Sequence, residues 1–344
     1  MYGRRELMLV EVVDRYIRTR EPVSSRELVE EYGHWESSAT VRNELAALER
    51  EGYLWKPYPS SGRIPTKMGF RHFAHWLLEL AELRARPAEL LVEPLAIVPQ
   101  ELPKLLQRTA LLLGAMTGEL GFVLAPPVET LRVVDLVMRS SGKEEVLVAV
   151  LSELGVVESR VLRLAVELTP EEVGQVEAML APRLRGRRLL ELAALDDFEV
   201  PGWHDRVVDV ALGLLRDLAT EGRSPQIFVE GVTGLLRELG DQPPDWILEH
   251  VRGLLSLLRD ERRFADLISE LRQGREELTV NVGDIPELPD FSLVSASYLK
   301  GTGTLGVIGP LWLDYVRAFS ATRYVTGRLE AILTMTGRSQ EVPE

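Results

Sequence analysis

The stretch Ser37–Lys67, SSATVRNELAALEREGYLWKPYPSSGRIPTK, constrains the fold more than any other part of the chain. Two serines at its start can cap a helix. Val41, Leu45 and Leu48 then recur at i, i+4 and i+7, one apolar stripe for a core. Gly52 ends that helix, and Tyr53-Leu54-Trp55 is β-prone. Pro57 and Pro59 confine the next residues to an edge or a loop. Ser60-Ser61-Gly62 makes a flexible tip, from which Arg63-Ile64-Pro65-Thr66 returns to the body. A capped helix running into a short hairpin is the pattern of a winged helix-turn-helix, and it points to sequence-specific binding of duplex DNA.

The upstream residues fit that pattern. Leu7, Val10, Val13 and Ile17 define an amphipathic first helix, interrupted at Glu21-Pro22. Ser24-Ser25-Arg26-Glu27 offers a capping box for a second helix, which stops at Gly33. The polar side of the third helix holds Ala39, Arg42, Asn43 and Ala46. Arginine can bridge the O6/N7 edge of guanine and asparagine the N6/N7 edge of adenine, while alanine lets the backbone approach the groove and can touch a thymine methyl. Serine hydroxyls and free amides at a helix start suit a phosphate oxygen. Glu44 projects off this face. The candidate DNA contacts are therefore Ser24, Ser25, Ser37, Ser38, Ala39, Thr40, Arg42, Asn43 and Ala46, with Lys56, Tyr58, Ser60, Ser61, Gly62, Arg63, Thr66 and Lys67 from the wing. Arg63 is best placed to enter the minor groove. The plainer reading is a solvated Arg–Asn face on an ordinary capped helix.

Charge placement favours the nucleic-acid reading. The chain carries net −13 over 344 residues. Residues 1–85 hold 13 bases and 13 acids, so the whole excess lies beyond them. Between Glu51 and Glu79 there is no acid, while Lys56, Arg63, Lys67 and Arg71 all fall there. An acidic body with one acid-free basic strip is the electrostatic footprint of a phosphate-contacting surface. The absence of cysteine excludes disulfides, thiol catalysis and cysteine-ligated metals. No apolar run approaches the ~18 residues that span a bilayer, and the acid-bearing start is not a signal peptide, so a cytoplasmic, nucleoid-associated protein is expected.

SSATVRNELAALEREGYL followed by SSGRIPT closely resembles the signature of the HrcA family, the heat-inducible transcription repressors of bacteria. EPVSSRELVEEYG matches that family's second helix, and FSLVSASYLKGTGTLGVIGPLWLDYVRAFSATRYV resembles its carboxy-terminal motif. Tyr58-Pro59 stands where members often carry histidine and threonine, and Leu311-Trp312 replaces a threonine–arginine pair. The resemblance implies a GAF-like sheet domain with an inserted dimerisation domain. It also implies an inverted-repeat operator before chaperone operons and a chaperonin co-regulator, so that heat lifts repression.

The rest of the chain reads as α+β. Phe70, Phe73, Leu77 and Leu80 continue a helix to Arg86, and a proline- and alanine-rich linker occupies 87–103. Strands are expected at Leu120–Leu124, Val133–Met138, Val146–Leu151, Val156–Leu162, Leu278–Val282, Leu293–Leu299 and Thr304–Ile308. From Pro170 to Arg275 the chain reads mostly helical, and a final helix starts near Leu313. The expected division is 1–86 for the winged helix, 104–186 and 227–344 for a discontinuous GAF-like domain, and 187–226 for a mainly helical inserted dimerisation domain. Gly301-Thr302-Gly303-Thr304-Leu305-Gly306 fits GxGxxG, but a strand rather than a helix comes after it, so it reads as a hairpin turn. His72 and His75 lie three apart with no paired acid nearby, which favours packing or phosphate contact over a metal site. Asp314 reads as the N-terminal charge of the last helix. No catalytic constellation, metal site or cofactor motif emerges. The expected function is a homodimeric repressor without cofactor. The alternatives are a winged-helix regulator sensing a metabolite through its GAF-like domain and, with least support, an enzyme fused to a DNA-binding module.

Overall fold

The computed structural model describes residues 3–35, 37–83, 102–163, 167–193, 213, 225–272 and 278–338. Three helices open the chain: α1 (Arg4–Thr19), α2 (Ser25–Tyr32) and α3 (Ser38–Arg50). Their limits come from local chemistry. Ser24 and Glu27 form a reciprocal capping box, Gly33 takes the left-handed conformation at φ 65° that ends α2, and the Ser37 side chain accepts from the Thr40 amide to start α3. A hairpin comes next, with β1 (Leu54–Trp55) antiparallel to β2 (Ile64–Pro65). Each strand spans only two residues; Pro57 and Pro59 lie in the connection and, like Pro65, have no amide to donate. Thr66 then accepts from the Gly69 amide at 3.3 Å and opens α4 (Lys67–Leu83). Val10, Val13, Leu28, Val41, Leu45, Leu48, Leu54 and Phe70 are buried together.

The chain continues through α5 (Leu102–Thr117), β3 (Leu120–Leu124), β4 (Val133–Ser140), β5 (Glu145–Ser152), β6 (Gly155–Arg163), α6 (Pro170–Leu184), α7 (Leu189–Ala193), β7 (Ile227–Glu230), α8 (Val232–Glu238), α9 (Pro244–Arg259), α10 (Glu261–Arg272), β8 (Thr279–Val282), β9 (Phe291–Tyr298), β10 (Gly303–Pro310) and α11 (Tyr315–Arg338). The molecule is α+β, with a helical N-terminal region and separate antiparallel sheets.

One sheet has five strands in the order β7-β3-β10-β9-β8, all neighbours antiparallel. Its two faces carry different apolar clusters. Val123, Val294, Ala296, Leu305 and Val307 join Leu106, Leu113, Ala318 and Val325 of α5 and α11. Leu120, Phe122, Phe291, Leu293 and Ile308 join Leu235, Leu254, Phe264 and Ile268 of α8, α9 and α10. Burial on both faces explains why every residue of β9 and β10 is inaccessible and why neither strand alternates in polarity. The GxGxxG stretch is a hairpin turn into β10, as its sequence suggests, with Leu299, Lys300 and Gly301 at φ 51°, 55° and 88°. Gly306 serves close strand packing, because a Cβ there would lie 2.9 Å from the Ser295 Cα.

Two sequence expectations change. The sequence places 225–230 in a mostly helical stretch, yet Ile227–Glu230 forms edge strand β7 against β3. Strands β4, β5 and β6 do not join the five-stranded sheet. They form their own three-stranded antiparallel sheet, and Val133, Leu136, Val146, Val148 and Val150 pack on Val173, Val176 and Leu180 of α6 as a separate core. The stretch that leaves the five-stranded sheet begins after Leu124. Most of the expected linker, and most of the expected 187–226 insert, lies outside the described residues.

The N-terminal region is fastened to the larger sheet through α4. Phe73 meets Tyr315 edge-on at 6.1 Å, and one apolar cluster runs from α1–α4 into α5 and α11. Arg71 donates to the Val282 carbonyl at 2.9 Å and pairs with Asp284. Arg20, at the end of α1, donates to the Trp312 carbonyl at 2.7 Å. No helix among the described residues is long and apolar enough to cross a membrane.

Candidate nucleic-acid interface

Helix α3 turns Val41, Leu45 and Leu48 inward, and this alone decides which residues it turns outward. Ala39, Arg42 and Asn43 are exposed on the outer face, and Ala46 is half-buried behind them. Arg42 and Asn43 hold no side-chain partner among the described residues. Their neighbours differ. Glu44 and Glu51 pair with Arg5 at 2.9 and 2.7 Å, and Glu49 pairs with Arg63 at 3.0 Å. The carboxylates around the outer face are thus neutralised from behind, while its arginine and asparagine stay free. That asymmetry suits an edge-reading surface presented to a polyanion.

The serines divide differently from the expectation. Ser24 and Ser37 are occupied as helix caps. Ser25 is buried, and its hydroxyl bonds that of Ser38 at 2.9 Å, tying the start of α2 to the start of α3. Thr40 bonds the Ser37 hydroxyl at 3.0 Å. These residues set the relative placement of the two helices before any ligand arrives.

The hairpin is less open than its sequence suggests. Val23 and Arg63 exchange backbone hydrogen bonds of 2.8 Å, so the hairpin is stitched to the α1–α2 turn. Gly62 allows that approach, since a Cβ would lie 2.6 Å from backbone atoms of Pro22 and Val23. The Arg63 side chain is only 12% exposed and bound to Glu49. In this structure it serves the fold of the unit and is not a free wing-tip arginine. Ser61 is also engaged, accepting from the Tyr58 amide at 3.1 Å and donating to the Tyr58 carbonyl at 2.8 Å. Lys56 caps the Pro59 carbonyl. Thr66 donates to the Gly52 carbonyl at 2.6 Å, and Lys67 points to the Gly283 carbonyl of the larger sheet at 3.4 Å. Of the four bases in the acid-free strip, Arg63, Lys67 and Arg71 are held by protein groups and Lys56 by its own loop. The hairpin presents outward Tyr58, 72% exposed, with Trp55, Pro59 and Ser60.

Sequence reasoning passes over Trp55, because a β-prone run hides which of its residues face out. It also passes over Trp35, a buried core residue whose indole donates to Glu11 of α1 at 2.7 Å. His72, Nε2 3.3 Å from Glu6, packs edge-on against Tyr53 at 5.6 Å. No cluster of histidine, aspartate and glutamate suited to a metal ion occurs among the described residues.

The family model described as the HrcA protein C-terminal domain matches residues 103–319, well over half the chain. The chain belongs to the HrcA family. Among full-length HrcA relatives, the heat-inducible transcription repressor HrcA of Pelotomaculum thermopropionicum is 30% identical over 341 residues, 96% of each chain. That of Desulforudis audaxviator is 31% identical over 342 residues, covering 96% of this chain and 97% of the relative. The N-terminal unit and both sheets therefore lie inside the HrcA likeness. A crystal structure described as that of a hypothetical protein at 2.2 Å resolution shares the fold, with TM-score 0.64 and 24% identity over 98% of this chain and 99% of that one. HrcA proteins are transcription repressors of the stress response, not enzymes.

Proposed function

We propose that the chain is a homodimeric, heat-released repressor that reads an inverted-repeat operator before chaperone operons. The observation that carries this is the outer face of α3, where Arg42 and Asn43 are free and exposed while Glu44, Glu49 and Glu51 are paired away. In this reading residues 3–83 form a winged helix-turn-helix, with α3 in the major groove and Tyr58 and Ser60 of the hairpin against the adjacent backbone. The five-stranded sheet with its helices, 102–125 and 225–338, is the GAF-like domain. The stretch 126–224, including β4, β5, β6 and α6, is the inserted dimerisation domain. The repressor acts in the cytoplasm, at the nucleoid, by occluding the promoter, and a chaperonin is the co-regulator that the family likeness suggests. Apolar side chains fill both faces of the five-stranded sheet, which weighs against the metabolite-sensor alternative.

A single unit of this size buries only about 600–1,000 Å² on DNA, so nanomolar operator affinity needs two protomers. The expected outcome is that a duplex with both half-sites, selected by the protein from a random library, binds at least about 100-fold more tightly than the same duplex with one half-site scrambled. Equal affinities in a titration by fluorescence anisotropy would contradict a dimer reading two half-sites.

A further inference from the structure

The turn between α2 and α3 contains a proton count that the ordinary roles of its residues do not satisfy. Glu11 lies on α1 and is buried. Its Oε2 accepts from Trp35 Nε1 at 2.7 Å, and its Oε1 lies 3.0 Å from His34 Nε2. The other ring nitrogen, His34 Nδ1, lies 3.0 Å from the Tyr32 carbonyl, which can only accept. Nδ1 must then carry a hydrogen. A neutral imidazole has no second one, and an ionised carboxylate has none at all. The Nε2–Oε1 contact is a hydrogen bond only when one further proton resides on the pair.

The charged and titratable groups around the pair sharpen this. From α1, Asp14 lies close enough to disfavour a charge on Glu11, and Arg18 pairs with Asp14 and bonds the Tyr32 hydroxyl. The guanidinium of Arg4 sits 5.5 Å over the Trp35 ring. From α2, the Tyr32 hydroxyl donates toward the Glu11 carbonyl and Asp14, each at 3.3 Å. The His34 and Trp35 rings are 4.6 Å apart. Burial, first, holds the Glu11 carboxyl above the ordinary carboxylate range, with the Trp35 bond and the charge of His34 opposing.

We infer that Glu11 is a positioning residue for the DNA-reading helix, fixing the entry to α3 through Trp35 and through a proton shared with His34. Trp35 stands two positions before the Ser37 cap and seven before Arg42, so this anchor sets the angle at which α3 leaves the turn. The proton comes from solvent as pH falls and returns to it as pH rises. The turn is therefore fastened at low pH and loosened at high pH. This rests on α3 being the helix that reads DNA.

The experiment uses full-length protein and a labelled duplex selected from a random library by the wild type, with binding followed from pH 5.5 to 8.5 at constant ionic strength. Wild-type affinity is expected to fall by roughly three- to tenfold across that range, as a linked proton requires. Glu11→Gln gives a different expectation from simple loss. Its amide oxygen accepts from Trp35 and its amide nitrogen donates to neutral His34, so binding stays tight and flat with pH. His34→Gln should bind weakly and also lose the pH dependence. Parallel pH slopes in all three proteins, with circular dichroism showing each folded, would overturn the proposal. Arg42→Ala in the same assay separates the two levels: full retention of binding there removes the α3 reading itself, whatever the slopes show.

Discussion

Replacing Arg42 with alanine is expected to weaken binding to the selected operator by about 1–3 kcal/mol, roughly 5- to 150-fold, while binding to scrambled duplex changes far less. Arg42 is exposed, has no partner to lose among the described residues, and stands on the face of α3 opposite Val41 and Leu45. Its removal leaves the helix caps and the core untouched, so stability is expected to stay within about 0.5 kcal/mol. The loss should concentrate on one base pair of each half-site, since a bidentate arginine reads one guanine. Anisotropy titrations on operator and scrambled duplexes, with denaturation midpoints alongside, check all three statements. Equal loss on both duplexes would make Arg42 a phosphate contact only. The comparison is informative because Arg63, the other arginine expected at the interface, is bound to Glu49 and cannot be removed without disturbing the hairpin.

Replacing Glu119 with glutamine is expected to stabilise the protein at alkaline pH. Glu119 lies between α5 and β3, its Oε2 is buried without a hydrogen-bond partner among the described residues, and its carboxyl is pushed up to about 8 from 4.5. Burial is the first cause; Glu238 and Asp314 add to it and Arg20 and Arg317 oppose it. The sign comes from proton binding. Between 4.5 and about 8 the folded protein keeps a proton that the unfolded chain has released, so stability falls as pH rises through that window. The full loss is present above the folded value and amounts to at most about 5 kcal/mol, with each tenfold step in proton affinity worth about 1.4 kcal/mol. Glutamine has nothing to ionise and keeps the shape. Urea midpoints at pH 5 and pH 9 should therefore diverge for the wild type and converge for Glu119→Gln. The same pH dependence in both proteins would mean that Glu119 ionises without penalty.

These two residues mark the limits of sequence legibility. Arg42 and Asn43 were legible because helical periodicity sorts faces using neighbours three and four residues apart, and Ser24, Gly33 and Ser37 because capping is chemistry within one turn. The strands of the five-stranded sheet were legible as apolar runs, except Ile227–Glu230, whose four residues between helices carry too little pattern to count. Glu119 gives no such signal, since its burial depends on β10, α8 and α11 closing over it from distant parts of the chain. The same holds for Lys67 and Arg71, which the charge pattern offered to phosphate but whose partners, Gly283 and Asp284, lie more than 200 residues away. The separation of β4, β5 and β6 from β3 was not legible for a related reason: all four read as short apolar or alternating runs, and only pairing separates the two sheets.

Footprinting decides whether an acidic two-fold body presents paired α3 helices to a palindrome in double-stranded DNA. Full-length protein would be applied to the chaperone-operon promoters of its own genome at moderate temperature and again after heating. Protection is expected over an inverted repeat with half-sites on one side of the duplex, a whole number of helical turns apart (about 10–10.5 base pairs each), and it is expected to disappear on heating. Protection absent from those promoters even at low ionic strength, or spread evenly along any DNA supplied, would contradict that expectation.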